Sequence, residues 1–91
     1  MVIDVQVPSL LRDCTGGKAS FQLQAETLQE AHDLLISTYP LLRVHLYTEA
    51  GELRKHVLLF YNDQNLAWLD NWDIALQPGD RFIVFQAVSG G

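Results

Sequence analysis

Between Thr27 and Pro40 the chain carries one well-marked amphipathic helix, and its best-patterned neighbours on both sides are strands. Thr27-Leu28-Gln29-Glu30 is a capping box: the Thr27 hydroxyl accepts from the amide of Glu30, and the Glu30 carboxylate returns the bond. Behind it, Leu28, Ala31, Leu35 and Tyr39 repeat at helical spacing, with Leu34 widening the stripe. Pro40 stops the helix near Thr38 or Tyr39, because the residue before a proline is pushed out of helical backbone angles. A single helix has one apolar stripe and covers one face of a sheet. The expected architecture is therefore α+β, a mixed sheet of four to five strands with one main helix on one face.

The strands follow from alternation. Ile3, Val5 and Val7 alternate with Asp4 and Gln6 in a half-buried strand that ends at Pro8. Ser9 to Lys18 reads as a loop turning at Gly16-Gly17. Phe21, Leu23 and Ala25 alternate with Ser20, Gln22 and Gln24, completing a loose hairpin. After the helix, Leu41 to Tyr47 reads as a short helical turn with Leu42 and Leu46 packed below the main helix. Thr48 to Glu52, with Gly51, is a turn. Arg54 to Tyr61 is the strongest strand pattern, closed by Asn62-Asp63. Gln64 to Leu76 is irregular, with room for an edge strand near Leu66 and a turn carrying Leu69 and Trp72. Gln77-Pro78-Gly79-Asp80 suits a type II turn, and Arg81 to Ala87 is the last strand.

The two best strands are apolar on both faces. Val57, Leu59 and Tyr61 alternate with Leu58 and Phe60; Phe82 and Val84 alternate with Ile83 and Phe85. With only one helix to cover them, the second face is either roofed by Gln64 to Leu76 or left open as a partner surface. On the second alternative Leu58, Phe60, Phe85 and Val88 are the partner-binding candidates.

Ninety-one residues suit a single domain, read as residues 1–86 with a flexible tail at 87–91. A chain this short buries roughly 60–65% of its unfolded surface, enough for one modest core. A hydrophobic fraction of 48% with 19% charged residues is a globular composition. The net charge of −5 argues against a nucleic-acid partner, which selects for clustered Lys and Arg, and suits docking on a basic protein surface. Cys14 is the only cysteine, so no internal disulfide forms and a reducing, cytoplasmic setting is expected. Neither a leader pattern nor an apolar run near the ~18 residues of a membrane span is present.

Several motifs are considered and set aside. Gly17-Lys18 lacks the phosphate-loop partners, with Arg12 and Ala19 at the required positions. His32, His45 and His56 are too widely spaced for a metal site, so no metal and no bound cofactor is expected. His32 reads as a helix surface residue. Asp13 beside Cys14 raises rather than lowers the thiol pKa. No carboxylate pair announces acid–base chemistry. Trp68 and Trp72 read as core or loop anchors.

The sequence ends Ala87-Val88-Ser89-Gly90-Gly91. A glycine pair has no side chains and passes a channel that any Cβ would block. The α-carboxylate of Gly91, with a pKa of roughly 3.5, is an anion and a poor electrophile until activated. Alone, such an ending reads as a frayed terminus.

Taken with the fold, it resembles the ending of ubiquitin-like β-grasp proteins, and more narrowly of the ThiS/MoaD sulfur-carrier family, over nearly the whole chain. Pro8-Ser9-Leu10-Leu11-Arg12 with Thr15-Gly16-Gly17 is similar to the first hairpin of the CysO-like branch. Thr27-Leu28, Tyr39-Pro40, Tyr61-Asn62-Asp63 and Leu76-Gln77-Pro78-Gly79-Asp80 match the family's helix ends and turns, and Ala87 to Gly91 its tail. Phe85-Gln86 departs from molybdopterin-type carriers, which commonly have proline there, and resembles the thiamine branch.

The resemblance implies a carrier rather than an enzyme, able to serve as the small subunit of a sulfur-transfer enzyme. A ubiquitin-activating-type enzyme would spend ATP to adenylate Gly91. A donor such as a rhodanese or cysteine desulfurase would supply sulfur, leaving a thiocarboxylate. A biosynthetic enzyme of the molybdopterin, thiamine, cysteine or a related pathway would accept it. The carrier has no catalytic side chain; Gly91 is the reacting residue and Gly90 its slender support. Val88 to Gly91, extended, reach roughly 13–14 Å. The alternatives are a ubiquitin-like modifier conjugated through Gly91 and a noncovalent interaction domain.

Overall fold

The alternation at the start of the chain becomes β1, Val2–Gln6, in which Ile3 and Val5 are buried and Val2 and Gln6 face solvent. In the computed structural model, which describes residues 1–86, β1 pairs antiparallel with β2, Ser20–Gln24. The connection differs from the expected loop. Ser9–Thr15 is a 3-10 helix that buries Leu11 and Thr15 and ends on Gly16 at a φ of 69°. That left-handed angle favours glycine, since a side chain there crowds the following carbonyl. The Thr15 hydroxyl ties the turn together by donating to the carbonyls of Arg12 and Lys18.

α1 spans Leu28–Thr38, as the spacing predicts. The Thr27 hydroxyl accepts from the Glu30 amide at 3.1 Å, one half of the expected capping box. Leu28, Ala31 and Leu35 are fully buried, whereas Leu34 is exposed, so the stripe is narrower than expected. Pro40 both ends α1 and begins α2, Pro40–Leu46, because a proline at a helix's first turn gives up no needed donor. Leu42 and Leu46 are buried, and α2 packs against both α1 and the Ser9–Thr15 helix. A turn follows, closed by bonds between Thr48 and both Gly51 and Glu52.

β3 runs Val57–Tyr61, starting later than the expected Arg54; the Arg54 amide instead donates to the Leu46 carbonyl. The short edge strand expected near Leu66 is β4, only Gln64–Asn65, and a short 3-10 helix, Leu66–Trp68, follows it directly. β5, Arg81–Gln86, is described to its last residue before Ala87. The order across the sheet is β2-β1-β5-β3-β4, with β1 and β5 parallel and the other pairs antiparallel. This is the mixed five-stranded sheet of a ubiquitin-like β-grasp fold.

The core lies between the sheet and α1. It is built from Ile3, Val5, Leu28, Leu35, Leu42, Leu46, Leu59, Phe82, Val84 and their neighbours. The segment from Leu69 to Leu76 wraps α1, not the opposite face of the sheet. The Leu28 amide donates to Ile74, that of Gln29 to Trp72, and that of Leu76 to Glu26. His32 corrects another expectation: it is half-buried, with Nε2 2.7 Å from the Tyr47 hydroxyl and its ring edge-on to Trp72 at 4.9 Å. Of the two tryptophans, Trp72 is the anchor, donating from its indole to the Leu66 carbonyl, and Trp68 is 77% exposed. Among the described residues, no helix is long and apolar enough to cross a membrane.

Candidate functional site

With Leu69 to Leu76 committed to the helix side, the outer face of β3 and β5 stays open. Strand alternation sends Val57, Leu59 and Tyr61 into the core and turns Leu58 and Phe60 outward. The same parity on β5 buries Phe82 and Val84 and turns Ile83 and Phe85 outward. The antiparallel register places Leu58 opposite Phe85 and Phe60 opposite Ile83. Phe60 and Phe85 are diagonal neighbours, and their rings meet edge-to-face with centroids 5.3 Å apart. Leu58 and Phe85 remain 43% and 46% exposed, which a single domain has no reason to maintain for its own stability.

The patch has a polar boundary. Arg81 and Asp63 approach to 3.8 Å at one end, and Asn62 joins them along the same concave surface. Toward β1 the face turns hydrophilic: Asp4 lies across from Arg81 and Gln6 across from Ile83. The result is an apolar centre over two strands with a charged margin, the usual anatomy of a protein-docking surface.

The structure brings together three of the four partner-binding candidates, Leu58, Phe60 and Phe85. The fourth, Val88, and the expected reacting residue Gly91 with its support Gly90 lie outside the described residues, as does the expected tail of residues 87–91. Ile83 completes the patch and was not singled out; its shared parity with Phe85 was the available signal. Sequence spacing also gave no warning of the Arg81–Asp63 margin. The end of β5 adds one feature, a buried Gln86 Oε1 without a hydrogen-bond partner among the described residues.

Elsewhere the chain offers little reactive chemistry. Among the described residues, no three His, Cys, Asp or Glu side chains gather as a metal site. Burial, and then the Asp13 carboxylate, push the Cys14 thiol up, away from the reactive thiolate. A second concavity, between α1, α2 and Gly51, is lined in part by His32, Asp33, Arg43 and Tyr47. There burial and the nearby Asp33 raise the Tyr47 hydroxyl, and His32 holds it by hydrogen bond. His32 bridges Asp33 and Tyr47, and no activated nucleophile stands among these groups.

Comparison with known proteins places this geometry. A family model described as the ThiS family matches residues 5–91. The sulfur carrier protein CysO of Mycobacterium tuberculosis is 28% identical over 93 aligned positions that span all of both chains. A CysO complex with BexX from Amycolatopsis orientalis contains a chain of the same fold. It has a TM-score of 0.76 and 26% identity, and the match covers 98% of this chain and 99% of that one. SAMP1 of Haloferax volcanii, a small archaeal modifier protein, also has a TM-score of 0.76, at 22% identity over the whole of both chains, a likeness of fold.

Proposed function

This chain belongs to the ThiS family, and from that membership we propose that it is a sulfur carrier acting through the α-carboxylate of Gly91. The observation that carries the reading is the reach of the family match, which extends through Gly90 and Gly91. A full-length relative named as a sulfur carrier favours sulfur transfer over conjugation to lysines. A related chain found in complex with another protein supports a protein partner for this one.

The chemistry begins with a problem of electrophilicity. The Gly91 carboxylate attacks the α-phosphorus of ATP on a ubiquitin-activating-type enzyme and expels pyrophosphate, forming an acyl-adenylate. The outer sulfur of a persulfide on a donor such as a rhodanese or cysteine desulfurase adds to the carbonyl and AMP departs, leaving an acyl disulfide. A thiol then attacks the donor-side sulfur, forms a disulfide with it and releases the acyl-bound sulfur. The product is a thiocarboxylate, an anionic sulfur nucleophile that a biosynthetic enzyme consumes. ATP and its phosphates belong to the partner. This chain contributes the carboxylate, the narrow Gly90-Gly91 approach and a surface to be held by. Leu58, Phe60, Ile83 and Phe85 supply that surface. It lies partly on β5, the strand that continues into the tail, so an enzyme gripping the patch also fixes where residue 87 begins.

The test is an intact mass, measured after incubation with a cognate activating enzyme, ATP and a sulfur donor. The expected result is exchange of one oxygen for sulfur, located at Gly91 by fragmentation. An unchanged mass with an enzyme proven competent on another carrier overturns the reading. Gly-Gly remnants on lysines of other proteins, without the sulfur shift, would assign the chain to the modifiers.

A further inference from the structure

β2 is the outermost strand of the sheet and has no second neighbour among the described residues. Its pairing with β1 fixes where each backbone group points. The Val7 amide donates to Ala19 and the Ala25 amide to Met1, both at 2.9 Å, on the same register as Ile3 with Leu23 and Val5 with Phe21. Alternation along an antiparallel pair therefore turns the N–H and C=O groups of Phe21 and Leu23 toward β1. Those of Ser20, Gln22 and Gln24 turn outward. The last three residues are also exposed.

Open edges are normally blunted by an inward charge, a proline or a very short strand. The opposite edge follows that rule, since β4 is two residues long and leaves directly into a 3-10 helix. β2 does not. Ala19-Ser20-Phe21-Gln22-Leu23-Gln24-Ala25 contains neither charge nor proline, and charges appear only at its ends, Lys18 and Glu26.

We propose that this edge pairs with the same edge of a second copy, antiparallel about a twofold axis through Gln22. In that register Gln22 faces Gln22 of the second copy and Ser20 faces its Gln24, so every outward N–H meets a C=O. Phe21 faces Leu23 of the second copy. Both side chains lie on the core side of β2 yet stay half-exposed, and pairing covers them with each other. Lys18 faces Glu26 of the second copy, which gives two opposite-charge pairs per dimer. Within one chain these two residues stand at opposite ends of the strand, roughly 26 Å apart, and cannot meet. Glu26 already holds the Met1 ammonium at 3.4 Å through Oε1, which leaves its other oxygen for the lysine. The apolar patch lies on strands further across the sheet, so self-pairing leaves it open.

A five-residue edge is a small interface, so the dimer is weak, with a dissociation constant on the order of 10–1000 μM. The net charge of −5 opposes association at low salt, and about 0.15 M salt screens that long-range repulsion. Sedimentation equilibrium of the full chain under those conditions, up to roughly 1 mM, is the experiment. The expected result is a dimer whose Ser20, Gln22 and Gln24 amides gain exchange protection with concentration. Gln22→Lys sets like charges against each other on the axis and gives a monomer with unchanged circular dichroism. Lys18→Glu and Glu26→Lys each weaken pairing by roughly tenfold, and combining them restores it. A wild-type chain still monomeric at that limit overturns the proposal, including the case in which the edge serves an extended strand of another protein. So does a dimer indifferent to Gln22→Lys, or a double charge swap no tighter than its single variants.

Discussion

Asp80 holds the turn before β5 to the end of β3. Its carboxylate accepts from the Tyr61 hydroxyl, from Asn62 Nδ2 at 3.2 Å and from the Gln77 amide at 2.8 Å. Burial alone would raise its pKa, but these three donors outweigh it and hold the carboxyl below the usual range. On the other side of the bond, burial and then the Asp80 carboxylate push the Tyr61 phenol up to about 12. The two shifts bracket stability from opposite ends. Asp80 contributes stability above its unfolded pKa, and this is lost as pH falls through the lowered folded value. Tyr61 contributes stability that is complete below about pH 10 and lost as pH rises from there to about 12. Urea melts across pH are expected to show Asp80→Asn costing about 1–3 kcal/mol at neutral pH. Tyr61→Phe should flatten the alkaline limb between about pH 10 and 12. The sequence identifies the turn, because Pro78 and Gly79 carry backbone preferences that are local, and Gly79 has the required φ of 88°. It gives Asp80 no role beyond the turn, because the Tyr61 hydroxyl is 19 positions away. The half-burial of His32 escapes for the same reason: its partner Tyr47 comes from another element.

Among the elements, α1 was legible nearly to its ends and the 3-10 helix at Ser9–Thr15 was not. α1 has a cap, a repeating stripe and a proline stop, each a local preference. The 3-10 helix has no such periodicity; only its tertiary contacts show why Leu11 and Thr15 are buried. Removing the cap with Thr27→Ala should cost about 1 kcal/mol, read from a shift in the urea midpoint without a change in slope. α2 rests on its two buried leucines more than on its own seven residues, a length too short to be helical alone. Leu46→Ala should therefore cost about 2–5 kcal/mol. On β3, neighbouring leucines have opposite fates. Leu59→Ala should destabilise by a similar amount, while Leu58→Ala should change thermal stability little and weaken docking instead.

For the molecule as a whole, the open outer face lies apart from the packed core, so the proposed docking can be tested separately from folding. Both faces of β3 and β5 are apolar in sequence, and pattern alone could not say whether Gln64 to Leu76 roofs the second one. The bonds of that segment to α1 settle it. Phe60→Glu should leave the circular dichroism and melting temperature near wild type and weaken binding to the proposed activating enzyme about tenfold or more, measured by titration calorimetry. A collapsed melting temperature would instead mark the face as core.

The place of β5 in the sheet has a consequence for how the chain is made. Among the described residues it is the last strand in sequence, yet it stands in the middle of the sheet, where the β1–β2 pair and the β3–β4 pair join only through it. While the chain is still emerging from the ribosome, those two halves have nothing to zip them together. A nascent chain stalled before Arg81 therefore has neither the finished sheet nor the apolar patch. The proposed docking surface comes into being only with the synthesis of the strand that leads to the proposed reacting end.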